Sequence, residues 1–540
     1  MSDLQAARRL FHGLKPWSEM RRDFRWEIPE HFNIATACSD DRARVDPERP
    51  AIIDVDAQGH RRIWSAGELA EASSRFAGVL QAEGVGRGDR VASLLSQGPA
   101  VMICHFAAMK LGAIALPLFT LFGPDALAYR LSDSGAKVLI TDAENVGKVT
   151  PLRGDLPDLT EVFVTDGDAG RDFWAQIEAA VAITPVETRA DDPAVMIYTS
   201  GTTGPPKGVL HAHRFLFGHL PSVELTHGLF PQNDDVGWTP ADWAWIGGLM
   251  DMAVPCLYYG VPLIAHRMRK FDADSAWQLI RDHAITSLFL PPTALRLMSR
   301  VEVPMGVDVR SVSSGGERLG SALLEWARSA LGVEIAEIYG QTECNLSVAA
   351  VRGLMETPDT AMGMAVPGFD LRLIDAEGAD VPMGEVGEIA VHKDTPVMFL
   401  KYWGQPGKTA EKFCGDWMRT GDLAVNDGAG NLTFHARDDD VITSSGYRIG
   451  PSEIEECLCR HPDVLMAAVV GMPDPERTEA VTAFVVAKVT DVNGLGDILK
   501  AYVAVNLSPH LAPRTVHFRD ELPMTATGKI MRRALRVKGW

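Results

Sequence analysis

Short apolar runs rich in β-branched residues alternate with helical patterns over most of the chain. Arg90–Leu95 (RVASLL) reads as a strand, an Ala-rich helical stretch follows to Lys110, and Ala113–Leu118 reads as the next strand. Lys137–Thr141 (KVLIT) and Glu161–Thr165 (EVFVT) repeat the strand pattern, so the alternation predicts an α/β body. A helix is predicted over Ser65–Glu83, with Ser65 as cap and Glu68 three residues on completing a capping box. Past Gly368 the pattern changes to short strands and tight turns (DLRLIDAEG, GEIAVH, NLTFHA), which predicts a β-rich subdomain at the end of the body. From Arg437 the chain reads strand, turn, helix (Ser452–Arg460), strands (Ala467–Gly471 and Val481–Lys488) and helix (Leu495–Asn506), a small α+β domain. The expected division is therefore 1–436 and 437–540, with the boundary near Ala436 to Asp440.

Length agrees with two domains, since 540 residues exceed the roughly 250 to 300 that one core supports. A hydrophobic share of 46% and a charged share of 23% exclude disordered and coiled-coil classes. The net charge of −19 repels phosphate backbones and anionic lipid, so neither nucleic acid nor membrane insertion is expected, and an anionic ligand needs a local electropositive site. Seven scattered cysteines without a C-x-x-C pair, and an N-terminus without an apolar signal core, lead to the expectation of a cytoplasmic protein with reduced thiols. Ala107–Leu118 and Gly247–Tyr259, interrupted by Lys110 and Asp251, are too short to span a bilayer and are expected to be buried core.

The sharpest local signal is Tyr198-Thr-Ser-Gly-Thr-Thr-Gly-Pro-Pro-Lys-Gly208, directly after an apolar strand. Gly201, Gly204 and Gly208 let backbone approach a ligand, Thr199, Ser200, Thr202 and Thr203 offer hydroxyls, and Lys207 adds positive charge, the parts of a polyphosphate cradle. A Walker A loop is excluded, because Gly208 rather than Ser or Thr follows Lys207.

This loop resembles the signature of the adenylate-forming superfamily, which includes acyl-CoA synthetases, peptide-synthetase adenylation domains and luciferases. SGGERL (Ser314–Leu319), YGQTEC (Tyr339–Cys344), RTGDLA (Arg419–Ala424), RDDDVITSSGYRIGPSEIE (Arg437–Glu455) and PMTATGKIMRR (Pro523–Arg533) follow in the family's order. The resemblance implies an N-terminal adenylate-forming body, a mobile C-terminal domain, and two half-reactions. A carboxylate attacks the α-phosphate of ATP, and a thiol then displaces AMP. ATP, Mg2+ and CoA are the implied cofactor and co-substrates, with a small carboxylic acid as partner.

Residue roles follow from the same resemblance. Glu343 is implied to hold Mg2+, Thr342 to touch the α-phosphate, and Lys529 to bridge carboxylate and α-phosphate from the small domain. Asp422 is implied to take the ribose hydroxyls, Gly316 and Glu317 to line adenine with Arg318 beside them in the nucleotide site, and Arg437 and Arg448 to reach ribose and phosphate. Glu337, Ile338, Tyr339, Gly340 and Gln341 complete the implied nucleotide site. Asp439 is the implied hinge, and Ser445 and Gly446 line the implied pantetheine path. Relatives commonly carry Pro where Arg318 stands.

Gly340 stands where acetyl-specific relatives have Trp, and Gly315 and Gly247 fall where short-chain relatives place larger residues. These three glycines are expected to open an acyl pocket beside Trp245 and Ile246, as in the medium-chain branch, for a short-to-medium-chain, branched or aromatic acid. Thr478, within Arg477-Thr478-Glu479, and Ala504 depart from the pattern that holds CoA. An acyl-CoA ligase is the leading expectation. A stand-alone enzyme loading a carrier thiol and a non-catalytic nucleotide-binding protein are the alternatives.

Overall fold

The computed structural model describes residues 3–199, 205–437, 440–444, 447–474, 478–507, 509, 511–525 and 529–537, with the side chains of 443, 447, 448 and 478 outside the description. Two large sheets form the body. The first runs Lys401–Tyr402, Lys207–Ala212, Pro193–Thr199, Ile114–Pro117, Arg90–Leu94, Val138–Thr141, Glu161–Val164 and Arg171–Asp172 in spatial order. Its pairings from Pro193–Thr199 outward to Arg171–Asp172 are parallel, as α/β alternation requires. The predicted helix is observed as Ala66–Ala82, and Ser65 and Glu68 form the reciprocal capping box.

The second sheet has nine strands. Gly237–Trp238, Ser287–Phe289, Ser311–Gly315 and Ile335–Tyr339 are parallel neighbours at its centre, and antiparallel strands close both ends. Buried apolar side chains between helices and sheets, among them Phe76, Phe106, Phe163, Phe215 and Tyr259, make one continuous core. Both apolar stretches predicted as core are buried throughout, including their charged residues. Lys110 is fully buried and is held by Asp40 Oδ2 at 2.8 Å, by Ser73 and Ser74 hydroxyls and by the Ala70 carbonyl.

Past Gly368 a five-stranded antiparallel sheet is built from Leu371–Ile374, Val386–His392, Phe413–Cys414, Trp417–Asn426 and Leu432–Arg437. The last sheet joins Ile442–Ser444, Tyr447–Ile449, Val464–Asp474 and Thr478–Ala487 with a parallel strand, Thr515–Phe518, that the sequence pattern did not predict. Helices Pro451–Cys459 and Leu495–Asn506 supply residues such as Ile454, Leu458 and Leu499 to a separate apolar cluster, so this segment has its own core. No described helix is long and apolar enough to cross a membrane.

Candidate functional site

Parallel strands present their carboxyl ends to one crevice, where loops are free to carry ligand-binding residues. Here Ser287–Phe289, Ser311–Gly315 and Ile335–Tyr339 end beside a cavity of about 50 Å³. Trp245, Ile246, Gly247, Gly315 and Gly340, all expected in an acyl pocket, line it. Phe289, Asp251, Asn345 and Leu346 line it too and were not anticipated. Trp245 and Phe289 form a tilted pair, ring centroids 5.8 Å apart at 47°. Ile338, grouped above with the nucleotide residues, also lines this cavity.

All three expected glycines line the cavity, but what a side chain would meet differs among them. At Gly247 a Cβ would stand 3.1 Å from the Phe289 ring and 3.1 Å from the Trp245 ring, two side chains of the cavity wall that would have to give by a few tenths of an ångström. At Gly315 a Cβ would lie 2.5 Å from the Ile338 carbonyl oxygen on the neighbouring strand. At Gly340 it would lie 2.4 Å from the Leu346 nitrogen and 2.8 Å from the Asn345 Cα. Main chain, not ligand space, excludes side chains at those two positions. The backbone at Leu346 is itself left-handed, φ 58°, a conformation costly for a branched side chain.

The Tyr198–Gly208 motif is the connection of a hairpin. Pro193–Thr199 pairs antiparallel with Lys207–Ala212, with Thr199 opposite Lys207. Ser200, Gly201, Thr202, Thr203 and Gly204 lie outside the described residues. Lys401–Tyr402 adds to the same hairpin, Tyr402 opposite Val209. That pairing brings Tyr402 under Lys207, whose Nζ is 4.8 Å from the ring centroid, and lets the phenol donate to Glu343 Oε1 at 2.6 Å. Burial, with Glu343 next, raises the Tyr402 phenol far above its usual range, so it remains a donor. Tyr402 was missed because its only signal is a place on a strand nearly two hundred residues after its partner.

Asp422 and Arg437 face each other across adjacent strands, with Arg437 Nη1 3.3 Å from Asp422 Oδ1. Tyr339 Oη and Gln341 Nε2 donate to Asp422 Oδ2 at 2.8 and 2.5 Å, and Gln341 also donates to the Thr420 carbonyl at 2.8 Å. Gln341 thus orients the carboxylate. Burial lifts Glu337 to about 7, opposed by Arg352 and Arg318. Arg318, at the position commonly occupied by Pro, reaches from the body to the small domain. Its Nη1 is 2.5 Å from Glu456 Oε2 on helix Pro451–Cys459, and its Nη2 donates to the Thr360 carbonyl at 2.6 Å.

Lys529 enters the same space from the small domain. The residue as a whole is exposed, but the end of its side chain lines the cavity, Cε 3.6 Å from where a Cβ on Gly316 would stand. Thr525 braces it: the Lys529 N–H donates to Thr525 Oγ1 at 3.0 Å and its carbonyl accepts from Thr525 N–H at 2.7 Å. Burial of the ammonium lowers its pKa, and Asp422 leads the groups that raise it. Thr342 and Gly316 line the cavity beside it, and Glu317 lines the small adjoining recess. Asp439, Ser445 and Gly446 lie outside the described residues, as do the side chains of Arg448 and Thr478.

Comparison with known proteins agrees with this arrangement. A family model described as AMP-binding enzyme matches residues 39–403, and one described as AMP-binding enzyme C-terminal domain matches 453–529. The mitochondrial acyl-coenzyme A synthetase ACSM3 of Mus musculus is 33% identical over 544 residues, 97% of this chain and 93% of that protein. Among solved structures, the anthranilate CoA ligase AuaEII in complex with anthranoyl-AMP superposes with TM-score 0.85 at 26% identity, over 94% of this chain and 97% of that one. A benzoate CoA ligase from Burkholderia xenovorans LB400 superposes with TM-score 0.84 at 29% identity, over 94% and 100%. The fold, the cavity at the strand ends and these matches over nearly the full length place the chain in the AMP-binding enzyme family, among the acyl-CoA synthetases.

Proposed function

We propose that this protein joins a compact carboxylic acid to coenzyme A in two steps at one site. The carboxylate oxygen attacks the α-phosphorus of ATP, the bond to pyrophosphate breaks, and acyl-AMP forms; the sulfur of CoA then attacks the acyl carbon and AMP leaves. The observation that carries the proposal is Lys529 beside Thr342 and Gly316 in a cavity whose wall includes Trp245, Ile246, Phe289 and Ile338. The apolar side chains in the wall suit the body of an acid, and a cation in the same cavity suits the meeting of two anions, where oriented charge lowers the barrier most. Asp422, held by Tyr339 and Gln341, is placed to accept from ribose hydroxyls, which a carboxylate can do with both oxygens.

Mg2+ is part of the proposal, with Glu343 as its protein ligand. No group of three candidate ligands occurs among the described residues. A single buried carboxylate with one oxygen fixed by Tyr402 fits an ion that takes most of its ligands from water and phosphate. When bound, the ion would neutralise phosphate charge; Lys207, over the Tyr402 ring, supplies charge on the same side. Lys529, reaching in from the small domain, serves adenylation, and its withdrawal by rotation of that domain opens the site to CoA.

The test is AMP release from ATP across C2 to C10, branched and aromatic acids, with and without CoA, alongside ATP–pyrophosphate exchange. Acid-dependent exchange without CoA and CoA-dependent AMP release are expected. Exchange that CoA does not convert to AMP release would favour loading of a carrier thiol. Absence of exchange with every acid would overturn the ligase reading.

A further inference from the structure

The polar interruption of the apolar run Gly247–Tyr259 does not reach solvent; it reaches the acyl cavity. Asp251 sits in the π-helical turn Leu249–Ala253, is 4% exposed, and lines the cavity with Trp245, Gly247 and Phe289. Asn345, on the loop after the YGQTEC motif, lines it as well and donates Nδ2–H to Asp251 Oδ1 at 2.8 Å. Behind them His219 is wholly buried, its Nδ1 3.4 Å from the same oxygen, without the alignment of a hydrogen bond at either ring nitrogen. Asp251 Oδ2 has no partner among the described residues.

Oδ2 is open to the cavity rather than sealed, and an oxygen so placed needs a group in that space to complete it. In this cavity the group positioned to do so is the substrate. A wall of Leu or Val would have served a plain hydrocarbon acid better, because an apolar chain leaves the carboxyl dry and unpaired. Charge states narrow the class further. Burial pushes Asp251 well above the usual carboxylate range, opposed only by Asn345, and pushes His219 down to about 3, so the imidazole is neutral. A carboxyl oxygen accepts from a hydroxyl or an amine in either protonation state, and the Asn345 amide both donates and accepts. An ammonium on the acid would instead need a fully desolvated ion pair with a single carboxylate. A second carboxylate finds no cation on the cavity wall except Lys529, among the described residues. The size, about 50 Å³ with Trp245 in place, is well below the roughly 150 Å³ of a void that takes benzene, so the acid is compact or Trp245 turns aside for a ring.

We propose that Asp251 and Asn345 determine acyl specificity by selecting acids that carry an uncharged hydrogen-bonding substituent, a hydroxyl or an aryl amine, over their unsubstituted counterparts. This rests on the ligase reading above. A site built to hydrogen-bond a substituent rejects the analogue that lacks it far more strongly than an apolar pocket rejects one methylene.

The experiment measures kcat/KM for CoA-dependent AMP release with matched pairs: 3-hydroxybutyrate against butyrate, 4-hydroxybutyrate against butyrate, 2-hydroxybenzoate and 2-aminobenzoate against benzoate. Wild type is expected to favour at least one substituted member by about tenfold or more. Asp251→Leu should cut that preference at least tenfold, while Asp251→Asn, which keeps shape and hydrogen bonding, retains part of it. An ATP-induced thermal shift in each variant shows that the fold and nucleotide site persist. Should Asp251→Leu fail to fold, Asn345→Leu carries the same expectation. Preference for every unsubstituted member, or an unchanged ratio in a leucine variant that keeps the ATP shift, overturns the assignment. No AMP release with any member would instead overturn the ligase reading, and this assignment with it.

Discussion

Replacing Gly247 with Ala tests which missing side chain sizes the pocket. The new Cβ would stand 3.1 Å from two Phe289 ring atoms and 3.1 Å from the Trp245 Cη2, contacts with side chains that can give by a few tenths of an ångström. The fold should tolerate it, because Gly247 lies in the short helix Ile246–Gly248, where Ala is favoured by about 1 kcal/mol. The methyl displaces about one methylene of acid, which forfeits about 0.8 kcal/mol of burial. On the rate scale that is about fourfold. For the bulkiest accepted acid, overlap adds about 1–3 kcal/mol, bringing the loss in kcat/KM to about 20- to 600-fold. Acetate needs none of that space and should be unaffected. Gly340→Ala is the contrast: its Cβ meets main chain at 2.4 Å, so it should lower the unfolding midpoint and reduce every acid alike. Initial rates of AMP release from acetate to octanoate, with thermal unfolding of both variants, decide the matter. A uniform loss with a lowered midpoint for Gly247→Ala, or an altered ranking with an unchanged midpoint for Gly340→Ala, would refute the reasoning.

Lys529→Ala should lower ATP–pyrophosphate exchange by at least a hundredfold, about 2.7 kcal/mol, while thioester formation from supplied acyl-AMP is largely kept; equal losses in both would remove Lys529 from adenylation. Glu224 is buried, accepts from the N–H groups of Leu10 and Phe11 and from the Tyr259 hydroxyl, and is pushed by burial up to about 7. Its folded pKa is raised, so the stability it contributes is present below about 4.5 and is lost as pH rises through about 7. Wild-type stability relative to Glu224→Gln should therefore fall over that window by up to about 3 kcal/mol, read from urea midpoints. A relative stability that rises with pH would contradict it.

Linear motifs were legible because their chemistry is local. Asp422, Arg437 and Glu343 sit in short segments whose resemblance to a family's motifs implied a nucleotide site, and the Ser65–Glu68 box needs only its own helix turn. Residues delivered by distant pairing were not legible. Tyr402 reaches Glu343 through a strand pairing with Val209, and Phe289 reaches the cavity from the end of a parallel strand. Glycines were ambiguous for another reason: a letter does not tell which way the missing Cβ would point. Gly247 faces the Phe289 and Trp245 rings of the cavity wall, whereas Gly315 and Gly340 face main chain. Strand Thr515–Phe518 escaped notice because one exposed and three half-buried residues carry no alternation strong enough to read. Asp251 was noticed only as a break in an apolar run, since burial beside a cavity is a property of the folded chain.

Arg318 and Glu456 act as a detent under the proposed domain rotation. Both side chains keep between 17% and 19% of their exposure, so water still screens the contact, and such a pair holds by about 1 kcal/mol at most. That bias is about fivefold in favour of the pose that inserts Lys529. Under the proposed rotation, such a bias would favour the adenylating pose while remaining small enough for thermal motion to release it. A proline at this position would leave the small domain without that click, and a dry, fully enclosed ion pair would leave it stuck.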